Sequence, residues 1–230
     1  MLERCEVMDF FAGIMADILR FFHNSLGVGW GWSIILLTIF IKILLFPTSL
    51  SQIKSMEGMK KITPLLKEIQ EKYKNNPEEQ QRRVMEVYKQ NNVNPFGSCL
   101  PMLIQLPFLY ALFALLNNPD KFSIDLVNET FLGLNLTQGG YWSLAVISGA
   151  TTYLQSKLTT PTSGQEGSQN TFLYIMPVFL GYITYSLKAG VGLYWVASNL
   201  IQIIQQVVIA RFFLPKDEKS AQQKEPKKGK

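Results

Sequence analysis

One lysine interrupts the first long apolar stretch of the chain, and it is the residue whose type and position most suggest a site. Lys42 is the only charged residue between Trp32 and Pro47. A charge at the centre of a membrane-spanning helix costs at least about 2.5–3.5 kcal/mol on insertion scales, so such residues usually face a partner or a hydrated cavity. Lys42 is therefore the first candidate for a functional residue.

A second set of polar residues lies in the last apolar stretch. Ser198, Gln202, Gln205 and Gln206 recur on one side of a helix, with Asn199 beside them. Amides in such helices commonly join neighbouring helices, at about 0.6 kcal/mol each on average. We favour that role for Gln205 and Gln206. For Asn199 and Gln202, joining helices and lining a cavity remain alternatives.

The elements that must position these residues are membrane-spanning helices. Apolar residues make up 47% of the chain and fall in blocks, and five blocks approach the roughly 20 residues that cross a bilayer. The expected fold is an all-α polytopic membrane protein. Its spans are residues 30–50, 95–117, 140–158, 171–187 and 190–213, with the last two joined as a tight antiparallel hairpin.

The basic residues predict the orientation of these spans. The net charge is +5, and the cations concentrate in segment 51–94 and in the tail 214–230, which is rich in Lys, Gln and Glu and is expected to be disordered. By the positive-inside rule both regions are cytoplasmic, whereas the acidic loop 118–139 lies outside. Five spans then place the N-terminus outside and the flexible loop 159–170 in the cytoplasm, although apart from the adjoining Lys157 this loop carries no cation.

Residues 1–29 predict an extracytoplasmic amphipathic helix. Acidic residues interrupt its apolar residues, which excludes a standard signal peptide. The helix is expected either to lie on the outer leaflet or to pack on the spans, and the two arrangements are compatible. Its apolar half comprises Phe10, Phe11, Ile14, Met15, Ile18, Leu19, Phe21, Phe22 and Leu26.

Segment 51–94 predicts a cytoplasmic hairpin of two helices. Asn76, Pro77 and Glu79 form a capping-box pattern that starts the second helix. Pro64 predicts a kink or break in the first helix. The apolar seam of that helix, with steps of three and four residues, comprises Met59, Ile62, Leu66, Ile69 and Tyr73.

Metal and cofactor chemistry has almost no residues to use. His23 is the only histidine, and Cys5 and Cys99 lie far apart in sequence. The spans contain no His, Asp or Glu that would serve as a general base. We therefore expect no metal, no cofactor and no enzyme.

The position of Lys42 leaves two interpretations open. Counted from Gly31 at about 1.5 Å per residue, it lies about 16 Å along the helix, just past the bilayer midplane. Its stem could reach the inner headgroups. Alternatively, it faces a water-filled groove beside the polar side of the last span, where it would attract an acidic protein segment or a small anion.

Four sequence blocks together resemble the YidC/Oxa/Alb family of membrane protein insertases. They are the first span at 40–47, the basic hairpin, the proline-rich start of the second span at 94–107, and Gly192-Leu-Tyr-Trp-Val-Ala-Ser-Asn199. The resemblance covers residues 8–213, with the motifs in family order. The chain is similar to short bacterial members that lack a large extracytoplasmic domain.

The resemblance implies five transmembrane helices around a hydrophilic groove that is open to the cytoplasm and to lipid and closed outside. It implies a multi-pass protein of the bacterial cell membrane that inserts nascent membrane proteins into the bilayer, alone or with the Sec translocon. The family's groove cation is usually arginine, and Lys42 stands at the matching position. The expected groove residues are Lys42, Gln105, Tyr194, Ser198, Asn199 and Gln202.

The hairpin is expected to capture the substrate or to contact the ribosome, which the basic tail could also reach. Met56 and Met59 would offer adaptable apolar surface, and Lys60 and Lys61 positive charge. A small-anion transporter or channel is the main alternative. No internal repeat pairs the two halves of the chain, which speaks against that alternative.

Overall fold

The computed structural model describes residues 2–91, 93, 100–126, 129–159 and 168–213. The expectations for the tail 214–230, for residues 160–167 of the loop 159–170 and for residues 94–99, including Cys99, fall outside these ranges. The described elements are α1 (Leu2–Leu26), α2 (Trp30–Leu44), α3 (Phe46–Lys72), α4 (Pro77–Gln90), α5 (Leu100–Asn117), β1 (Thr130–Phe131), β2 (Leu134–Asn135), α6 (Trp142–Thr159), α7 (Ser168–Ser186) and α8 (Ala189–Phe212).

The expected all-helical class is confirmed, and α8 is the helix around which the others assemble. It packs against α2, α5, α6, α7 and the start of the hairpin helix α3. By length and hydropathy α8 could cross a bilayer by itself, and α2 with α3 is a second candidate if the bent pair is taken as one span. The apolar parts of α5 and α7 are shorter, so five spans remain a prediction.

The backbones of α6 and α7 approach each other closely. A Cβ atom added at Gly181 would lie 3.0 Å from the carbonyl oxygen of Ala145, and one added at Gly149 would lie 3.2 Å from that of Pro177. Small residues at such crossings let apolar helices pack without the hydrophobic force that water provides. These glycines allow α6 and α7 to pack closely against each other.

Residues 30–50, the predicted first span, do not form one straight helix. The chain bends by 66° at Leu45 and continues as α3. Pro47 accounts for the bend, because its nitrogen cannot donate and its ring clashes with the carbonyl four residues earlier. Residues 46–50 therefore belong to the hairpin helix. At Pro64, by contrast, α3 runs on without a break. Pro64 lies on the exposed face of the helix, and Ile62 and Leu66 on either side of it are buried.

The helical hairpin has the predicted start of its second helix. The side chain of Asn76 accepts a hydrogen bond from the Glu79 backbone N–H at 3.2 Å. The reciprocal half of the capping box does not form. The Glu79 carboxylate instead accepts hydrogen bonds from Arg82 and Arg83 at 2.7 and 2.9 Å. These bonds, chiefly the one from Arg82, lower the pKa of Glu79.

The loop between α5 and α6 is packed rather than only surface-bound. It forms a β-hairpin in which Thr130 pairs with Asn135, and Leu132 and Gly133 at its turn have φ of 51° and 77°. Its buried apolar side chains join the core formed by α1, α2, α5 and α8; they are Phe122, Ile124, Leu126 and Leu136.

Helix α1 packs against α5 and α2, as one of the two expectations for residues 1–29 proposed. Its buried side comprises Ala12, Met15, Ala16 and Leu19. Ile18 and Phe22 are partly buried against the same core. The helix also has an exposed apolar side, whose large residues are Phe10, Phe11, Ile14, Phe21 and Leu26.

Candidate functional site

Lys42 lies in the last turn of α2, three residues before the bend, and is half-buried. Its ammonium group donates a hydrogen bond to Gln202 Oε1 of α8 at 2.9 Å. A cation near the C-terminal end of a helix is also favoured by the helix dipole. The lysine charge is therefore held inside the bundle by a neutral amide, which leaves it free to attract an anion.

Helix α8 is bonded to α2 a second time at the same level. Gln205 Nε2 donates to the backbone oxygen of Lys42 at 3.0 Å. That oxygen is among the last four carbonyls of α2, which lack partners within the helix. The helix-joining role expected for Gln205 is thus the arrangement observed, and Gln202 and Gln205 together fix where Lys42 can lie.

Gln105 of α5 joins the site from a third helix. Its Nε2 donates to the hydroxyl of Tyr194, and its Oε1 accepts from Ser198 at 3.5 Å. Tyr194 is buried among core side chains. Pro107 lies inside the same helix, two residues after Gln105. Five of the six predicted groove residues therefore lie in hydrogen-bonded contact with another predicted residue.

Asn199 is the sixth, and it turns away from Lys42 toward α6. Its Nδ2 donates to Thr152 Oγ1 at 2.9 Å and to Thr151 Oγ1 at 3.3 Å. Thr152 also accepts from Trp195 Nε1 at 3.2 Å. The structure therefore gives Asn199 a helix-joining position. Gln206 turns the same way and donates to the Leu158 carbonyl at 2.7 Å. The polar residues of α8 therefore contact two neighbouring helices, with Gln202 and Gln205 bonded to α2 and Asn199 and Gln206 bonded to α6.

The threonines of α6 were missed by sequence reasoning. Thr152 stands four residues after Ser148, whose hydroxyl lies 2.8 Å from that of Thr184 in α7. The signal was the i, i+4 spacing of hydroxyl residues inside an apolar span. Single hydroxyl residues are common in such helices, which makes this signal weak. These residues join α6 to both α7 and α8.

Two charged side chains cap helix ends at the end of the bundle near the β-hairpin. Glu129 Oε1 accepts from the Trp30 backbone N–H at 3.0 Å, at the start of α2. Lys188 Nζ donates to the Leu116 carbonyl at 2.6 Å, at the end of α5. An anion at a helix N-terminus and a cation at a C-terminus both satisfy unpaired backbone groups and the helix dipole.

The hairpin residues expected to contact partners differ in exposure. Met56 is only 4% exposed, because this part of α3 packs beneath α8 and α5, so it presents no free surface in this conformation. Met59 is half-buried, as is Lys60, which pairs with Glu57 at 2.7 Å, while Lys61 is exposed. Leu65 and Met85 are exposed apolar residues of the hairpin that the sequence did not single out.

A separate apolar cleft of about 590 Å³ lies between α6 and α7. Aromatic residues and glycines line it, among them Trp142, Tyr153 and Tyr174, and none of its lining residues is a predicted site residue. Among the described residues, no group of three or more His, Cys, Asp or Glu side chains could hold a metal. The polar cluster around Lys42 therefore remains the candidate site, and its chemistry is hydrogen bonding and charge.

Comparison with known sequences identifies what this arrangement resembles. A family model described as 60Kd inner membrane protein matches residues 21–217. A membrane protein insertase YidC from Caldanaerobacter subterraneus is 37% identical over 199 residues, which cover 86% of this chain and 92% of that protein. One from Fusobacterium nucleatum is 38% identical over 208 residues, with 89% and 98% coverage.

Longer relatives match over the same region. The YidC insertase of Campylobacter jejuni is 33% identical over 204 residues, which make up 89% of this chain and 38% of that protein. A crystal structure of an active YidC insertase is similar with a TM-score of 0.67 and 26% identity, over 90% of this chain and 46% of that one. The chain thus spans less than half of these two proteins.

Proposed function

Because the chain belongs to the YidC/Oxa/Alb family of membrane protein insertases, we propose that it inserts nascent membrane protein segments into the bacterial cell membrane. The single observation that supports a mechanism is the Lys42 ammonium, held by Gln202 within the bundle. The orientation follows the positive-inside rule, with the N-terminus outside and the hairpin in the cytoplasm.

In the proposed mechanism a polar segment enters a hydrated groove lined by Lys42, Gln105, Ser198 and Gln202. These groups replace part of the water that the segment loses, and Lys42 attracts its acidic residues. Tyr194 and Asn199 hold α8 against α5 and α6, so that the polar groups keep their places. The groove shortens the hydrocarbon distance that the polar segment must cross.

The driving force comes from the apolar part of the guest. Leu, Ile, Phe and Val each favour the centre of a bilayer by about 0.3–0.6 kcal/mol on the insertion scale. A helix of about 20 such residues therefore supplies several kcal/mol once it leaves the groove for lipid. No covalent step, cofactor or nucleotide enters this scheme. The Glu129 and Lys188 caps support a groove that is closed at the outer end.

The proposal includes the partners of the cytoplasmic side. The nascent chain reaches the groove past the hairpin, where exposed Lys61, Leu65 and Met85 offer positive and apolar surface. The ribosome and the Sec translocon are proposed partners that would deliver or share substrates. Anionic lipid headgroups would attract the same cations.

Site-specific crosslinking tests this function. A photoreactive residue replaces Lys42, Gln105 or Asn199 in full-length protein in liposomes, and a stalled nascent single-span protein is then added. Crosslinks are expected at Lys42 and Gln105 and fewer at Asn199, which faces α6. Val146, 66% exposed on α6, is the control position. Crosslinking no stronger at Lys42 and Gln105 than at Val146 would contradict the groove.

A further inference from the structure

Leu132 occupies the turn of the β-hairpin, where neither packing nor the backbone favours a leucine. Its side chain is 84% exposed, more than any other large apolar side chain that the structure describes. Leu132 and Gly133 form a two-residue turn in which both have positive φ, the pattern of a type I′ turn. Such turns favour Asn-Gly, because asparagine tolerates the left-handed region, in which a leucine is strained.

The β-hairpin holds this turn in a fixed place. Phe131 lies directly over Gly31, where an added Cβ atom would be 2.3 Å from the ring, and it meets Trp32 edge to face with the ring centres 5.4 Å apart. Just after the second strand, the carbonyl of Leu136 accepts a hydrogen bond from the Gly190 backbone N–H at 3.0 Å. The β-hairpin is thus fastened to the first turns of both α2 and α8.

The level of the β-hairpin relative to the bilayer follows from Trp32. This residue is the third of α2 and is 55% exposed. An exposed aromatic ring at the end of a membrane-spanning helix marks the boundary between headgroups and hydrocarbon. The contact between Phe131 and Trp32 places the β-hairpin at that boundary. The exposed apolar side of α1 ends at Leu26, just before α2 begins, and so lies at the same end of the bundle.

A lipid bilayer fits the turn better than a protein partner does. A stable protein interface buries about 800 Å² on each side, whereas the turn offers one apolar side chain. A single leucine that enters the interfacial region gains from leaving water and needs no complementary pocket. Gly133, the other residue of the turn, has no side chain that would oppose insertion.

We infer that the turn of the β-hairpin is a lipid anchor, with Leu132 inserted into the outer leaflet at the headgroup boundary. Burial of its side chain in lipid offsets the strain of its backbone conformation. Because the β-hairpin is fastened to α2 and α8, the anchor sets the depth of the outer ends of both helices. The inference rests on the proposed orientation of the spans and not on insertase activity.

Spin-label accessibility tests the anchor in full-length protein reconstituted in phosphatidylcholine liposomes. Cys5 and Cys99 are replaced by serine, and one nitroxide label is placed at position 132. Oxygen, which concentrates in lipid, and a water-soluble nickel chelate then report the surroundings of the label. The oxygen-to-nickel ratio at 132 should approach that at Val146, which is 66% exposed on α6, and should exceed that at Ser123 several-fold. Ser123 is the matched aqueous control, because it is exposed and has a φ of 53° in the same loop.

A pair of variants tests the anchor without a label. Leu132→Asn and Leu132→Asp both suit the backbone of the turn and differ chiefly in charge. Because a carboxylate is costly in lipid, Leu132→Asp should speed amide exchange of the β-hairpin in liposomes about fivefold relative to Leu132→Asn. High salt screens repulsion from Glu129. The same pair of substitutions at Ser123 should give equal exchange.

Three results would overturn the anchor. One is an oxygen-to-nickel ratio at 132 equal to that at Ser123, which would place the turn in water. Another is low accessibility to both reagents, which would show that protein covers the turn. The third is equal exchange in Leu132→Asn and Leu132→Asp. Neither measurement uses a substrate, so an inactive protein with a lipid-facing turn would remove the proposed function and retain the anchor.

Discussion

Replacing Lys42 by methionine removes a charge and keeps most of the side-chain volume, so it separates electrostatic from packing effects. We expect Lys42→Met to impair insertion of a substrate with an acidic translocated tail much more than that of the same substrate with a neutral tail. Lys42→Arg should retain function with both, because arginine keeps the charge.

The size of the effect follows from the position of Lys42. An ammonium and a carboxylate about 5 Å apart attract by about 3 kcal/mol at an effective dielectric constant of about 20. Water and salt in an open groove lower this value. A remaining 1–3 kcal/mol, taken as a rough range, corresponds to about a 5- to 150-fold loss for the acidic tail relative to the neutral one.

A second consequence of the substitution affects all substrates equally. Gln202 Oε1 accepts from Lys42 and is buried, so Lys42→Met leaves it without that donor. An unpaired buried acceptor costs about 1–3 kcal/mol. The neutral-tail substrate measures this general loss, and the acidic-to-neutral ratio isolates the charge effect.

The assay is insertion of in vitro translated substrate into proteoliposomes, read as protease protection of the tail. Lys54→Met, an exposed lysine on α3, is the matched control with the same change in net charge, and its ratio should stay at the wild-type value. If Lys42→Met lowered insertion of the acidic-tail and neutral-tail substrates equally, the electrostatic role would be refuted. Lys42 would then have only a structural role.

Three further predictions concern the scaffold. Thr152→Val should lower the free energy of unfolding by about 0.6–1.7 kcal/mol, because Asn199 and Trp195 lose an acceptor. Unfolding in detergent measures this loss, and the control Thr151→Val, which removes only the longer bond from Asn199, should show a smaller one. Gly181→Val should lower the melting temperature by separating α6 from α7, whereas Gly13→Ala, with open space around it, should not lower it. Asn76→Ala should destabilise the start of α4 by about 0.5–2 kcal/mol, seen as faster amide exchange there, while exposed Asn75→Ala should not. Equal effects of any variant and its control would contradict the corresponding contact.

The sequence predicted well where local patterns determine the structure. The cap at Asn76 and the apolar seam of α3 depend on residues close in the chain, and both are present. The bend at Leu45 was also within reach, because Pro47 acts on the carbonyl of a residue four positions earlier.

Partners distant in sequence could not be read from the chain. Lys42 and Gln202 are separated by 160 residues, and Asn199 and Thr152 by 47. Periodicity placed Gln206 on the same side as Gln202, yet which neighbour an amide contacts depends on helix positions that only the assembled bundle sets. The packed loop between α5 and α6 was missed because its buried apolar residues alternate with polar ones.

Water access to position 42 tests the central claim most directly. In protein whose native cysteines are replaced by serine, a cysteine at position 42 is exposed to a membrane-impermeant thiol reagent from either side of the membrane. The neighbouring Ile43, 66% exposed and apolar, is the lipid-facing control. We predict modification at 42 from the cytoplasmic side only, and little at 43. No modification at 42 from either side would contradict a hydrated groove.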